Sequence, residues 1–152
     1  MQQSGYVPVY WTPLNAYFCL MADHLSITFR SDLQALIVRW LAPADDEQVQ
    51  ADYEAVEAAA RENEGCRLWM FDVRRRSLGS DEFNSWVGAT YFPRIAKSSV
   101  GPVSIAFLAT PRQLAGVVLG SGQGAVEQGA KAGIRCRFFA DEGPALTWLT
   151  GH

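Results

Sequence analysis

The stretch LSITFRSDLQALIVRWLAPADDEQVQADYEAVEAAARENEGCRLWMFDV, residues 25–73, holds a hairpin pattern, a helix pattern and a buried-strand pattern in one run. LSITF (25–29) alternates apolar and polar side chains with a period of two, Ser31 and Asp32 supply a turn, and LQALIVRWL (33–41) is a second, more apolar strand. Two strands this close in sequence predict an antiparallel hairpin. Pro43 stops the second strand, and Asp45, Asp46 and Glu47 stand where a helix N-terminus favours negative charge. Val49, Tyr53, Val56 and Ala60 keep helical spacing, and Gly65 occupies the position of a C-cap. CRLWMFDV (66–73) is an apolar run of the kind that fills a central strand, with its carboxyl end at Asp72.

The same grammar continues downstream. SDEFNSWVGATYFPRIAK (80–97) predicts a helix with Ser80 as N-cap, Asp81 and Glu82 in its first turn, one face made of Phe83, Trp86, Val87 and Thr90, and Pro93 ending or bending it. GPVSIAFLAT (101–110) is a third buried run. PRQLAGVVLGSGQGAVEQGAKAG (111–133) is a helical and glycine-rich connection, IRCRFF (134–139) a last strand, and DEGPALTWLTG (141–151) a closing helix. The expected order is β β α β α β α β α: an α/β fold with a mixed four- to five-stranded sheet flanked by helices and joined by right-handed crossovers. No period of 20 to 50 residues recurs, so a solenoid is not expected.

With 152 residues and a mass of 16.8 kDa, the chain is long enough for one domain with its own core. Residues 25–152 are assigned to that domain, and residues 1–24 read as an irregular aromatic arm with Tyr6, Tyr10, Trp11, Tyr17 and Phe18 and no charged side chain before Asp23. Net charge is −3, which gives no general attraction to nucleic acid or anionic lipid. Cys19, Cys66 and Cys136 lie far apart without a CxxC pair, so they read as small buried hydrophobes in a reducing compartment and not as zinc ligands. The only histidines are His24 and His152. No basic segment followed by an apolar run opens the chain, and no apolar run approaches the ~18 residues of a membrane span. A cytoplasmic address, no cofactor, no nucleic-acid partner and no membrane partner are the expectations.

Chemistry-bearing residues concentrate between Asp72 and Ser80. An acid at the carboxyl end of a buried strand, a short loop and a helix start mark the place where open α/β sheets commonly present functional groups. Arg74, Arg75 and Arg76 follow the acid, and Ser77 and Ser80 are the available hydroxyls. The stretch reads either as a solvated turn with Ser80 serving as a cap, or as a site for an anion or acidic partner that uses Arg74–Arg76 and the adjacent helix end. GSGQGA (120–125) satisfies GxGxxA and has Asp141 downstream, but a dinucleotide site belongs in the first βα turn of a larger sheet, so a flexible glycine-rich loop is expected. Asp45–Glu47 and Asp81–Glu82 are explained by helix dipoles, and no GxSxG elbow is present. Trp40, Trp69, Trp86, Tyr91, Phe92 and Trp148 are expected to pack the core and not to form a ligand cage.

LSITF followed by LIVRW, RLWMFDVRR, the helix with Trp86, YFPRIAKSSVGPVSIAF and the terminal FADEGPALTWL together resemble the STAS superfamily, in particular its small stand-alone bacterial members. The resemblance covers residues 25–150. It implies a non-enzymatic regulatory role, a protein partner whose identity is not implied, and often a homodimer. In the phospho-regulated members a serine at the start of the helix after the third strand is the switch. The matching positions here are Asp72, Arg74, Arg75, Ser77 and Ser80, although VRRRSLGS replaces the family's Asp-Ser loop. The alternative reading of the same residues is a protein that binds a small anion.

Overall fold

In a computed structural model, residues 5–11 and 17–151 are described, with side chains for residues 5, 6 and 20–151. Seven strands form one sheet in sequential order: β1 (Val7–Trp11), β2 (Tyr17–Ala22), β3 (Leu25–Arg30), β4 (Ala35–Trp40), β5 (Leu68–Asp72), β6 (Val103–Leu108) and β7 (Ile134–Phe139). The first four pair antiparallel and the last four parallel. The hairpin predicted from residues 25–41 is β3–β4, with Leu25 opposite Trp40 and Arg30 opposite Ala35.

The α/β class is as expected, and the strand count is corrected. Residues 7–11 and 17–22, expected as irregular arm, are two strands that extend the sheet to seven. Unpaired backbone N–H and C=O groups on the free edge of β3 supply the template for such an addition. The rest of the arm, the side chain of Cys19 and the terminal His152 lie outside the described residues.

Between β4 and β7 the chain moves one strand at a time in a single direction. With crossovers of one hand, that progression puts every connecting helix on the same face of the sheet. Accordingly α1 (Asp46–Glu62), α2 (Asp81–Trp86), α3 (Phe92–Ser98) and α5 (Ser121–Ala132) share one core with the sheet, built from residues such as Val56, Phe83, Phe92 and Ala125 against Val38, Phe71, Ile105 and Ile134. The closing helix α6 (Glu142–Thr150) falls on the opposite face, where Ala145 and Leu149 pack on Ile37, Met70, Ala106 and Leu108. Strand parity assigns the faces: in β5, Trp69 and Phe71 point to the helical layer, Met70 to α6.

Two connections depart from expectation. Pro93 neither ends nor simply bends its helix. A π-helical segment, Val87–Tyr91, joins α2 to α3, and the N–H of Phe92 bonds to the carbonyl of Val87, five residues back. Proline has no N–H for the next regular bond, and the extra residue in a π-turn accommodates that loss. The wider turn rotates the following side chains, so Tyr91 is fully buried while Thr90, expected on the apolar face, is exposed. The connection 111–133 is two helices, α4 (Pro111–Leu119) and α5, meeting at Gly120. No helix among the described residues is long and apolar enough to cross a membrane.

Candidate functional site

The residues from Asp72 to Ser80 do not converge on one site, because β5 ends among them and its parity sends neighbours to opposite faces. Asp72, only 8% exposed, points to the α6 face. Its carboxylate accepts from Arg74 Nε at 2.9 Å, Arg74 Nη2 at 2.8 Å and Arg39 Nη1 at 3.0 Å, and the Arg74 backbone N–H closes the turn at 3.2 Å. Arg39 continues to Glu142 Oε1 at 2.8 Å, tying β4 and the β5 end to the start of α6. Burial acts to raise the Asp72 carboxyl, but hydrogen bonds and charge from Arg74 and Arg39 outweigh it and hold the group below the usual carboxylate range. Arg74 is thereby engaged in an ion pair although, like Arg75 and Ser77, it is exposed.

Ser80 is the N-cap of α2, as expected: its Oγ accepts from the Phe83 N–H at 3.1 Å and donates to Asp46 at the start of α1. With Asp46, Asp81 and Glu82 gathered there, the helix start is already complemented by negative charge. The arginines do not face it as a joint anion site.

Arg76, the third arginine, goes the other way. It is 6% exposed, on the helical-layer side. Its guanidinium carbon lies 4.6 Å from the centre of the Trp40 ring and 5.5 Å from that of Tyr53, and Nη1 and Nη2 each donate to Tyr53 Oη at 3.4 Å. Nε is buried without a hydrogen-bond partner, and no carboxylate pairs with Arg76 among the described residues. Gln113 fixes this loop: its Nε2 donates to the carbonyls of Val73 at 2.7 Å and Arg76 at 2.9 Å, while its Oε1 accepts from Thr110 N in the capping box that starts α4.

Arg76 forms part of the wall of a cavity of about 240 Å³ between the sheet and the helices. Val73, Phe107 and Phe138 contribute from the sheet, Phe83, Val87 and Phe92 from the α2–π–α3 unit, and Val117 and Ala125 from α4 and α5. Phe107 stacks on Phe138 with centroids 4.8 Å apart. The polar groups at the rim are engaged with one another: Asn84 donates to Ser121 Oγ at 3.0 Å and Ser121 to Asp81 at 2.7 Å. Cys136 lines the far side, where burial pushes its thiol up to about 12. A π-helical turn beside such a cavity is a frequent companion of functional sites.

The glycine motif lies at this wall, but not as a loop. Gly120 precedes α5, residues 121–125 are its first turns, and VVL before them is helix α4 and not a strand, so the strand–turn–helix context of a nucleotide site is absent. The aromatics expected in the core are there, with Trp40, Trp69, Tyr91 and Phe92 buried and Trp86 and Trp148 packed at its margins.

A second polar cluster escaped the sequence reading. Asp52, 0% exposed, accepts from Trp40 Nε1 at 2.9 Å, Gln48 Nε2 at 3.1 Å and the hydroxyl of Tyr6, and His24 Nε2 lies 2.9 Å from both its oxygens. Burial and the neighbouring carboxylate both raise the Tyr6 hydroxyl, which keeps it a donor. The sequence signal was Asp52 itself, an acid three residues after Val49 on the buried stripe of α1. No group of three or more His, Cys, Asp or Glu side chains able to hold a metal occurs among the described residues. In comparison with known proteins, no family model, no curated protein and no solved structure matches this chain.

Proposed function

We propose that this protein is a non-enzymatic binding module that holds a small anion in the cavity beside Arg76. One observation carries the reading: a guanidinium that is 6% exposed, has an unpartnered Nε and pairs with no carboxylate among the described residues. An ionised group taken out of water costs several kcal/mol unless it is paired, and guanidinium matches carboxylate or phosphate oxygens with two parallel N–H donors. The ring contacts with Trp40 and Tyr53 offset part of that cost but bring no negative charge. A bound anion supplies it.

Binding without turnover is supported by the cavity's reactive groups. Its thiol, Cys136, is held protonated by burial, and the hydroxyl of Ser121 is engaged with Asp81. The STAS-like family remains part of the proposal, resting on the sequence resemblance and on the succession of hairpin, then parallel strands, from Leu25 onward. Ser80 is a poorer switch than that resemblance implies, because a phosphate there adds a dianion beside Asp46, Asp81 and Glu82.

The test is a thermal-shift and calorimetric screen with carboxylates and phosphates on the wild type and on Arg76→Gln. An anion that raises the melting temperature of the wild type and loses at least tenfold in affinity with Arg76→Gln supports the reading. Equal affinity in both proteins, or no anion that binds, rejects it.

A further inference from the structure

Resting on Arg76 as the head-group site, we infer that the ligand is a monocarboxylate with an apolar, linear or flat body that runs from Arg76 past Phe107 to Cys136, and that Cys136 sets the length of that body.

Charge selects the head group. Among the described residues lining the cavity Arg76 is the only cation, and the only other charged one is Asp81, at the rim. A carboxylate carries one negative charge and is matched by one guanidinium. A phosphate monoester carries about −1.5 to −2 at neutral pH, which leaves uncompensated negative charge in an apolar site that already has an acid at its edge.

The wall selects the body. The side chains that line the cavity besides Arg76 and Cys136 are mostly apolar, among them Val73, Phe83, Phe92, Phe107 and Phe138, none of which offers a side-chain hydrogen bond. Asn84 already donates to Ser121, and Ser121 to Asp81. A polar group on the ligand's body would be desolvated there without a partner, at a cost of about 1–3 kcal/mol.

Strand spacing selects the length. Arg76 follows β5 and Cys136 lies on β7, two strands away, which is about 10 Å. Cys136 pairs with Ile105, one pleat deeper than the Phe107–Phe138 pair. It retains accessible surface although burial dominates its environment, as expected of a side chain whose open surface is the cavity wall. A small side chain there leaves room below the stacked phenylalanines.

The experiment is calorimetry on the full chain with acetate, butanoate, octanoate, dodecanoate, 1-octanol, octyl phosphate and inorganic phosphate. Octanoate is expected to bind at least tenfold more tightly than acetate, 1-octanol and octyl phosphate, and to lose that advantage with Arg76→Gln. Cys136→Phe is expected to move the optimum toward butanoate, whereas Cys136→Ser leaves it in place. If Cys136→Phe does not fold, Cys136→Met reads the same shift. Arg76-dependent binding of acetate or inorganic phosphate as tight as that of octanoate overturns the amphiphile while leaving the anion site standing. Octyl phosphate binding more tightly than octanoate overturns the carboxylate, and an unchanged optimum in both Cys136→Phe and Cys136→Met overturns the role of Cys136. Absence of any Arg76-dependent anion binding removes this inference together with the proposed function.

Discussion

The guanidinium carbon of Arg76 lies 4.6 Å from the centre of the Trp40 ring, and no carboxylate pairs with it among the described residues. A cation over a desolvated ring gains about 2 kcal/mol, less than the 3–5 kcal/mol that an unpaired buried charge costs. Arg76→Met keeps the apolar length and removes the charge. It is expected to raise stability by about 1 kcal/mol, or roughly 2–4 °C in melting temperature, while abolishing anion-induced stabilisation. Calorimetric melting checks both halves, and a loss of stability would show that the charge is already balanced in the free protein.

Asp52 is the acceptor for donors from β4, from α1 and from the N-terminal segment. Asp52→Ala removes the acceptor these donors share and leaves the buried Trp40 Nε1 without it, so a loss of about 3–5 kcal/mol is expected in urea unfolding. Tyr6→Phe removes the hydroxyl that donates to Asp52 and accepts from Gln48 Nε2 at 3.1 Å, costs about 1–3 kcal/mol and speeds amide exchange in β1 and β2 but not in β5 and β6. Uniform acceleration across the sheet would contradict this local role.

Gly129 lies on α5 where a Cβ would sit 2.6 Å from Cδ2 of Phe92. Helix propensity alone makes Gly129→Ala stabilising by up to ~1 kcal/mol. The clash with a buried ring reverses the sign, and a net loss of about 1–3 kcal/mol is expected. Denaturant midpoints decide between the two.

Asp72 supplies a pH dependence whose sign follows from its partners. Its carboxyl is held below the ordinary range in the folded protein, so the stability it contributes is complete above the unfolded value of ~3.9 and is lost as pH falls through the folded value. Wild type is expected to lose stability below about pH 4 more steeply than Asp72→Asn. Parallel acid-unfolding curves for the two proteins would dismiss the ion-pair hub.

From Leu25 onward the elements were legible because their signals are local. Alternation in LSITF, the stripe of α1 and its acidic start at Asp45–Glu47, the Ser80 cap and the apolar runs of β5 and β6 each act over a few residues, and each appears in the structure. The segment before Leu25 was misread because strands β1 and β2 are defined by cross-strand pairing such as Val9 with Cys19, and an aromatic, proline-containing stretch shows no clear alternation. The π-turn was hidden for a related reason. Pro93 announces a lost hydrogen bond but not whether the helix stops or widens around it.

The sequence by itself determined a strand ending at Asp72, a capped helix beginning at Asp81 and a basic loop between them, since these depend on hydrophobic period and on backbone groups within one or two turns. It did not distinguish three consecutive arginines. Tertiary structure separates them: strand parity turns Asp72 toward α6, where it binds Arg74, Arg75 stays in solvent, and Arg76 is buried against Trp40 and Tyr53 from other elements. Which charge is solvated, paired or left in need of an anion is set by the dielectric and the partners around it, and only the packed chain brings those together.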